Sequence, residues 1–158
     1  MILTDESVKQ IRLTIPHYPQ RRSCILPALT IAYWQVGHLN DDLYREISDI
    51  LELQLVDVAE AASFYTMFPK RPVGRYFIQV CQNISCSLLG ADSLIEYLLE
   101  KLNVKLGDIT KDGLFTVVTV ECLGSCTTAP MMQVNDKYYE KLTRIKVDSI
   151  IEELRSKG

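Results

Sequence analysis

Apolar residues recur three or four positions apart through the first seventy residues, and later gather into short continuous runs separated by helical stretches. The first half therefore predicts helices. Thr4 caps a first helix, with Asp5 and Glu6 in its positive first turn and Val8, Ile11 and Ile15 on one face; Tyr18-Pro19 should stop it. Ile25, Leu29, Ala32 and Val36 mark a second, with Pro27 tolerated in its first turn and Gly37 as its stop. Asn40 caps a third, striped by Leu43, Ile47, Ile50 and Leu51. Asp57-Val58-Ala59-Glu60 resembles a capping box and opens a fourth, carrying Ala61, Ala62, Tyr65 and Phe68 and ended by Pro69. Four short helices with brief loops imply a helical bundle over residues 1–72. Two prolines, a glycine and three cations across 69–75 predict an exposed connector.

From residue 73 the pattern changes. Tyr76-Phe77-Ile78-Gln79-Val80 and Phe115-Thr116-Val117-Val118-Thr119-Val120 are β-branched and aromatic runs of strand length. Between them Leu94, Ile95, Leu98, Leu99 and Leu102 repeat at helical spacing. Met131–Val134 and Lys137–Glu140 flank Asn135-Asp136, residues that tolerate positive φ, and so predict a tight hairpin. Thr143 caps a last helix bearing Val147, Ile150, Ile151 and Leu154. A strand–helix–strand unit is parallel and right-handed. With the hairpin it builds a mixed four-stranded sheet over 73–158, and the chain is α+β, a helical bundle followed by a sheet domain.

Composition narrows the possible functions. The 158 residues are 47% hydrophobic and 23% charged, which fits a globular chain and excludes disorder. A net charge of −3 disfavours nucleic acid as a partner, since that affinity rests on cations neutralising phosphates. No apolar run is long enough to span a bilayer, so no membrane insertion is expected. The start of the chain shows neither a signal nor a transit pattern, and the expectation is a soluble, unexported protein.

Cysteine placement carries the chemistry. Cys81 and Cys86 form one close pair and Cys122 and Cys126 another, with thirty-five residues between them. In a reducing compartment such pairs point to a metal or redox site. If the two strong strands are parallel neighbours, both pairs leave the same sheet edge and four thiols can converge. Cys86, expected near the start of a helix, should be favoured as thiolate by the positive dipole end. Zinc in a four-cysteine site satisfies these spacings. A 2Fe–2S cluster also takes four thiolates, and loops rich in Ser, Thr and Gly offer the backbone donors that such a charged unit needs. A dithiol oxidoreductase is disfavoured, because there is no Cys-x-x-Cys. No Gly-x-Gly-x-x-Gly and no phosphate loop occurs, so no independent dinucleotide-binding site is expected in this chain.

Val80-Cys81-Gln82-Asn83-Ile84-Ser85-Cys86, with Glu121-Cys122-Leu123-Gly124-Ser125-Cys126-Thr127-Thr128-Ala129-Pro130, closely resembles the signature of the thioredoxin-like 2Fe–2S ferredoxins. That family includes the small iron–sulfur subunits of NADH:quinone oxidoreductases. Phe64-Tyr65-Thr66-Met67-Phe68, Pro27-Ala28-Leu29 and Gly37-His38-Leu39 extend the likeness upstream. The run Thr143-Arg144-Ile145 departs from the family's Thr-Pro-Glu without touching the motif. The resemblance implies a thioredoxin-like sheet domain and one 2Fe–2S cluster on Cys81, Cys86, Cys122 and Cys126. It implies one-electron transfer beside a flavoprotein partner that carries FMN, NADH and a 4Fe–4S cluster, with the helical residues 1–72 docking on that partner. It further implies a cytoplasmic place in the peripheral arm of a membrane-associated complex. Equivalent modules serve NAD-linked hydrogenases and formate dehydrogenases, and a zinc-stabilised interaction module is the alternative of a different class. In the thioredoxin-like fold a proline placed like Pro130 is cis.

The remaining residues have plainer expectations. Cys24 should be a small buried hydrophobe. His17 and His38 sit at helix ends, each as an exposed or a capping residue, and Tyr33 and Trp34 should pack. Phe64, Tyr65, Met67 and Phe68 should divide between core and surface, and Arg71 and Arg75 should be solvated. Glu121, if buried beside Cys122, would disfavour adding an electron.

Overall fold

The computed structural model describes residues 2–157. Its contacts divide the chain into two compact units that meet in sequence between Pro72 and Val73.

The first unit is helical. Helix α1 (Asp5–Thr14) is capped by Thr4, whose hydroxyl accepts from the Ser7 N–H. It ends earlier than Tyr18-Pro19 would end it, because Pro16 has no N–H to continue the α ladder; a short 3-10 turn, Ile15–His17, takes over. Helix α2 (Ile25–Val36) stops at Gly37, which takes the left-handed φ of 81°. Helix α3 (Asp41–Leu51) is capped by Asn40, whose side-chain oxygen accepts from the Leu43 N–H. Helix α4 (Leu55–Phe64) corrects two expectations. Asp57 lies inside its first turn and not at its cap, with the carboxylate drawn to Arg22 at 2.7 Å. The helix closes at Phe64, before Pro69, leaving Phe68 to fold back into the core beside Tyr33 in an edge-on ring contact.

Leu29, Leu39, Leu43, Ile47 and Leu51 have no exposed surface, and each such burial is worth about 1.5–3 kcal/mol. Cys24 lies in this core, fully buried. Trp34 does not pack as expected: it is 72% exposed. Phe64 and Met67 are also exposed, so the aromatic run divides between surface and core.

The second unit is a four-stranded sheet ordered β2-β1-β3-β4, with β1 Tyr76–Cys81, β2 Phe115–Val120, β3 Met132–Val134 and β4 Lys137–Tyr139. β1 runs parallel to β2 in a register that sets Tyr76 against Phe115 and Cys81 against Val120. β3 pairs antiparallel with both β1 and β4. The β3–β4 turn depends on Asn135 at φ 50°, whose side-chain oxygen accepts from the Phe77 N–H at 2.8 Å. The segment after β1 is two helices where the periodicity shows one: α5 (Ile84–Leu88) and α6 (Ala91–Leu102), broken at Gly90 with φ 94°. Helix α6 and helix α7 (Arg144–Ser156) supply Leu94, Leu98, Val147 and Ile151 to the core around Phe115 and Val117. Gly74 also departs from its expected role. It is buried, and its N–H donates to the Thr116 hydroxyl at 2.8 Å.

Three carboxyls of this unit, besides Glu140 near the cysteines, are held below the ordinary carboxylate range. Asp148 is held by Lys101 and the Tyr97 hydroxyl, Glu153 by Lys157, and Asp112 by the Thr110 hydroxyl and the Leu114 N–H. A carboxyl depressed by folding contributes stability that is complete above its unfolded pKa, about 4, and is lost as pH falls through the folded value. Urea denaturation of the purified chain is therefore expected to show a lower midpoint at pH 3 than at pH 6. In Asp148→Asn that pH difference should shrink.

Candidate metal centre

The site is built where two parallel strands end. Cys81 is the last residue of β1, which runs one residue beyond the expected Tyr76–Val80, and is opposite Val120. The Gln82 N–H extends the ladder to the Val120 carbonyl at 3.0 Å. Beyond Val120 the chain turns out through Glu121 to Cys122. Parallel pairing thus delivers both cysteine loops to one sheet edge.

The two pairs are held differently. Cys81 and Cys86 are 3% and 1% exposed and lie in a small apolar cluster with Ala91 and Met131, flanked by Leu123 and Ala129. Cys86 is the third residue of α5 and within hydrogen-bonding reach of the Cys81 thiol. Burial pushes the Cys86 thiol up to about 11; the neighbouring Cys81 and Cys126 add to the rise, and the Met131 backbone N–H opposes it. The expected preference for thiolate at a helix start is therefore overridden. In the metal-free chain, desolvation outweighs one short helix.

Cys122 and Cys126 are exposed. The Gly124 N–H donates to the Cys122 sulfur at 3.3 Å, a geometry reached with Gly124 at φ 76°, where a side chain would be strained. Cys126 opens a 3-10 turn, Cys126–Thr128, followed by the cis Ala129–Pro130 bond. Cys86 interacts with both Cys81 and Cys126, and Cys122 is exposed. Among the described residues no three Cys, His, Asp or Glu side chains are drawn tightly enough to hold one metal ion.

The donor set still suits a group wider than one ion. It comprises four soft thiols, two backbone N–H groups directed at sulfur, and an apolar cluster around the first pair. Glu121 is exposed and accepts from the Gln82 side-chain amide at 3.0 Å, so the condition for its disfavouring an added electron is not met. That bond ties the first loop to the second.

Two residues near the site escaped the sequence reading. The Tyr138 hydroxyl donates to the Leu123 carbonyl, and the Glu140 carboxylate accepts from the Ser125 and Thr128 hydroxyls. Those hydroxyls, with Lys141 and Lys146 nearby, hold the Glu140 carboxyl below its usual range. Their only signal in the sequence was spacing: they lie two apart in a run of the sequence that reads as extended, where alternate residues share a face.

Comparison with known proteins places the chain among its relatives. The family model of thioredoxin-like 2Fe–2S ferredoxins matches residues 11–155. An NADH-quinone oxidoreductase subunit of Rhizobium meliloti is 43% identical over 148 residues, covering 94% of this chain and 88% of that protein. An NADH-quinone oxidoreductase subunit of Thermus thermophilus is 39% identical over 155 residues, covering 96% and 86%. Among solved structures, an NAD+-reducing NiFe hydrogenase in its air-oxidized state matches with TM-score 0.71 at 26% identity, over 84% of this chain. The chain spans 23% of the length of that hydrogenase chain.

Proposed function

Because the chain belongs to the thioredoxin-like 2Fe–2S ferredoxin family, we propose that Cys81, Cys86, Cys122 and Cys126 hold one 2Fe–2S cluster and that the chain is the electron-transfer subunit of an NADH:quinone oxidoreductase. The observation that carries this reading is the convergence of both cysteine loops on one edge of the β1–β2 pair. When bound, the cluster supplies a one-electron acceptor and donor. The protein does the rest. Cys81 and Cys86 anchor it from the apolar side, and Cys122 and Cys126 from the surface. The Gly124 and Met131 N–H groups offset negative charge on the sulfurs, which matters most when an electron is added.

Hydride chemistry belongs to another subunit, since this chain has no dinucleotide-binding glycine pattern. The partner is a flavoprotein carrying NADH, FMN and a 4Fe–4S cluster. The exposed Trp34, Val56, Phe64 and Met67 of the helical unit provide apolar surface for it. No helix among the described residues is long and apolar enough to cross a membrane, and we place the chain in the peripheral arm, on the cytoplasmic side. The hydrogenase match supports a second assembly of the same class, an NAD-linked hydrogenase, in which the same module would relay electrons. The zinc-stabilised module gives way to the family match.

The test is spectroscopic. Anaerobically purified chain reduced with dithionite should show an EPR signal from a single unpaired spin per protein, with iron and sulfide in equal amounts. A colourless chain containing only zinc would refute the assignment.

A further inference from the structure

We propose that Tyr138 and Glu140, on and just beyond the outer strand of the sheet, are positioning residues that clamp the Cys122–Cys126 loop so that its two exposed thiols are set for their ligand. The inference rests on the cluster assignment above and adds the question of what holds the second thiol pair. The first pair needs no clamp, because Cys81 ends a paired strand and Cys86 is buried against Met131. The second pair has no such packing: Cys122 and Cys126 are exposed, and Gly124 between them has the widest backbone freedom of any residue type. Within the loop the hydrogen bonds are local: Gly124 N–H to Cys122 sulfur, the Thr128 N–H and hydroxyl to the Ser125 carbonyl, the Ser125 and Thr128 hydroxyls to each other, and Ala129 N–H to Cys126 carbonyl; none of them ties the loop to the sheet.

Restraint comes from outside the loop. β4 presents Tyr138, and Glu140 follows two residues later on the same face. The Tyr138 hydroxyl donates to the Leu123 carbonyl at 3.0 Å, fixing the residue after Cys122. One Glu140 carboxylate oxygen accepts from the Ser125 hydroxyl and, at 2.6 Å, from the Thr128 hydroxyl, so it grips the residues on both sides of Cys126. Glu140 is itself anchored. Lys146 Nζ donates to its carbonyl at 2.5 Å, and the adjoining Lys141 N–H donates to the Thr128 carbonyl at 2.7 Å. Hydrogen bonds to an ionised acceptor are the stronger kind, and this one joins two hydroxyls to a single oxygen.

The experiment uses the full chain in two states. In the metal-free chain, hydrogen exchange at the Gly124, Thr128 and Ala129 amides should be about tenfold faster in Glu140→Ala than in the parent, with β1 and β2 amides unchanged. In the iron-loaded chain, the same variant should shift or broaden the EPR g-values. Glu140→Gln retains a side-chain carbonyl acceptor and should restore both readouts toward the parent. Tyr138→Phe removes one hydroxyl only, and should speed exchange at Gly124; it decides the matter if Glu140→Ala fails to fold. Parent-like exchange and parent-like g-values in the folded variants overturn the clamp. A parent chain that binds no iron overturns the cluster assignment instead, and the exchange measurement still decides the clamp.

Discussion

Replacing Cys86 with alanine is expected to abolish cluster binding while leaving the fold in place. Three observations converge on this result. Cys86 is 1% exposed, so it acts on the structure as a small buried hydrophobe. Its thiol, pushed up to about 11 by burial and by Cys81, is neutral in the metal-free chain at pH 7, so no buried charge is left unpaired by the substitution. Removing one sulfur from a well-packed site costs on the order of 1–2 kcal/mol, by comparison with other small core truncations. The proposed ligand set would lose one of its four soft donors, and an alanine methyl cannot replace a thiolate. Iron content and the reduced-state EPR signal should therefore fall to background, while far-UV circular dichroism and a cooperative melt persist. A Cys86→Ala chain with full iron and an unaltered spectrum would remove Cys86 from the ligand set.

Gly74→Ala should be the most damaging single-methyl addition in the sheet unit. A Cβ at Gly74 would lie 2.6 Å from the Phe115 carbonyl carbon and 2.7 Å from the Phe115 nitrogen. Those atoms are backbone of β2 and cannot rotate aside as a side chain would. The Gly74 N–H is also bonded to the buried Thr116 hydroxyl, so moving the glycine away breaks that bond. Overpacking of this kind costs about 3 kcal/mol. In a unit of this size that corresponds to a fall in melting temperature on the order of 15 °C. Phe115 is fully buried at the centre of the sheet core, so the effect should appear in the melting of that unit. A Gly74→Ala chain melting within a few degrees of the parent would contradict the close approach.

Gly74 also marks the limit of what a local stretch of sequence displays. Beside Pro69, Lys70, Arg71, Pro72 and Arg75 it looks like one more element of an exposed connector, and composition is all a local window can offer. What makes it indispensable is a strand forty residues away. Asp57 illustrates the same limit at a helix start. The capping-box spacing is genuine, but Arg22 lies close enough to engage the carboxylate, and the helix is capped three residues earlier, at Gln54. Trp34 has helical spacing consistent with packing and is nonetheless 72% exposed, because helical periodicity fixes a face but not whether another element covers it.

Elsewhere local chemistry was sufficient. Thr4, Asn40 and Thr143 cap their helices through their own side chains, as short polar residues before an apolar stripe should. Asn135 turns the hairpin at positive φ. The parallel pairing of β1 with β2 follows from strand–helix–strand order, and it accounts for both cysteine loops reaching one edge. These features depend on residues close in the chain or on chirality, both of which a sequence displays.

The order of residues was thus enough for most of the elements, for the pairing of β1 with β2, and for the family. The state of the cysteine sulfurs emerges only once the chain is packed: Cys86 buried and held neutral, Cys122 exposed, and the second loop tied to Tyr138 and Glu140. Secondary structure and chain reversal are governed by backbone preferences acting over a few residues. Desolvation and hydrogen bonding across a loop depend on which atoms, distant in the chain, come within a few ångströms of each other.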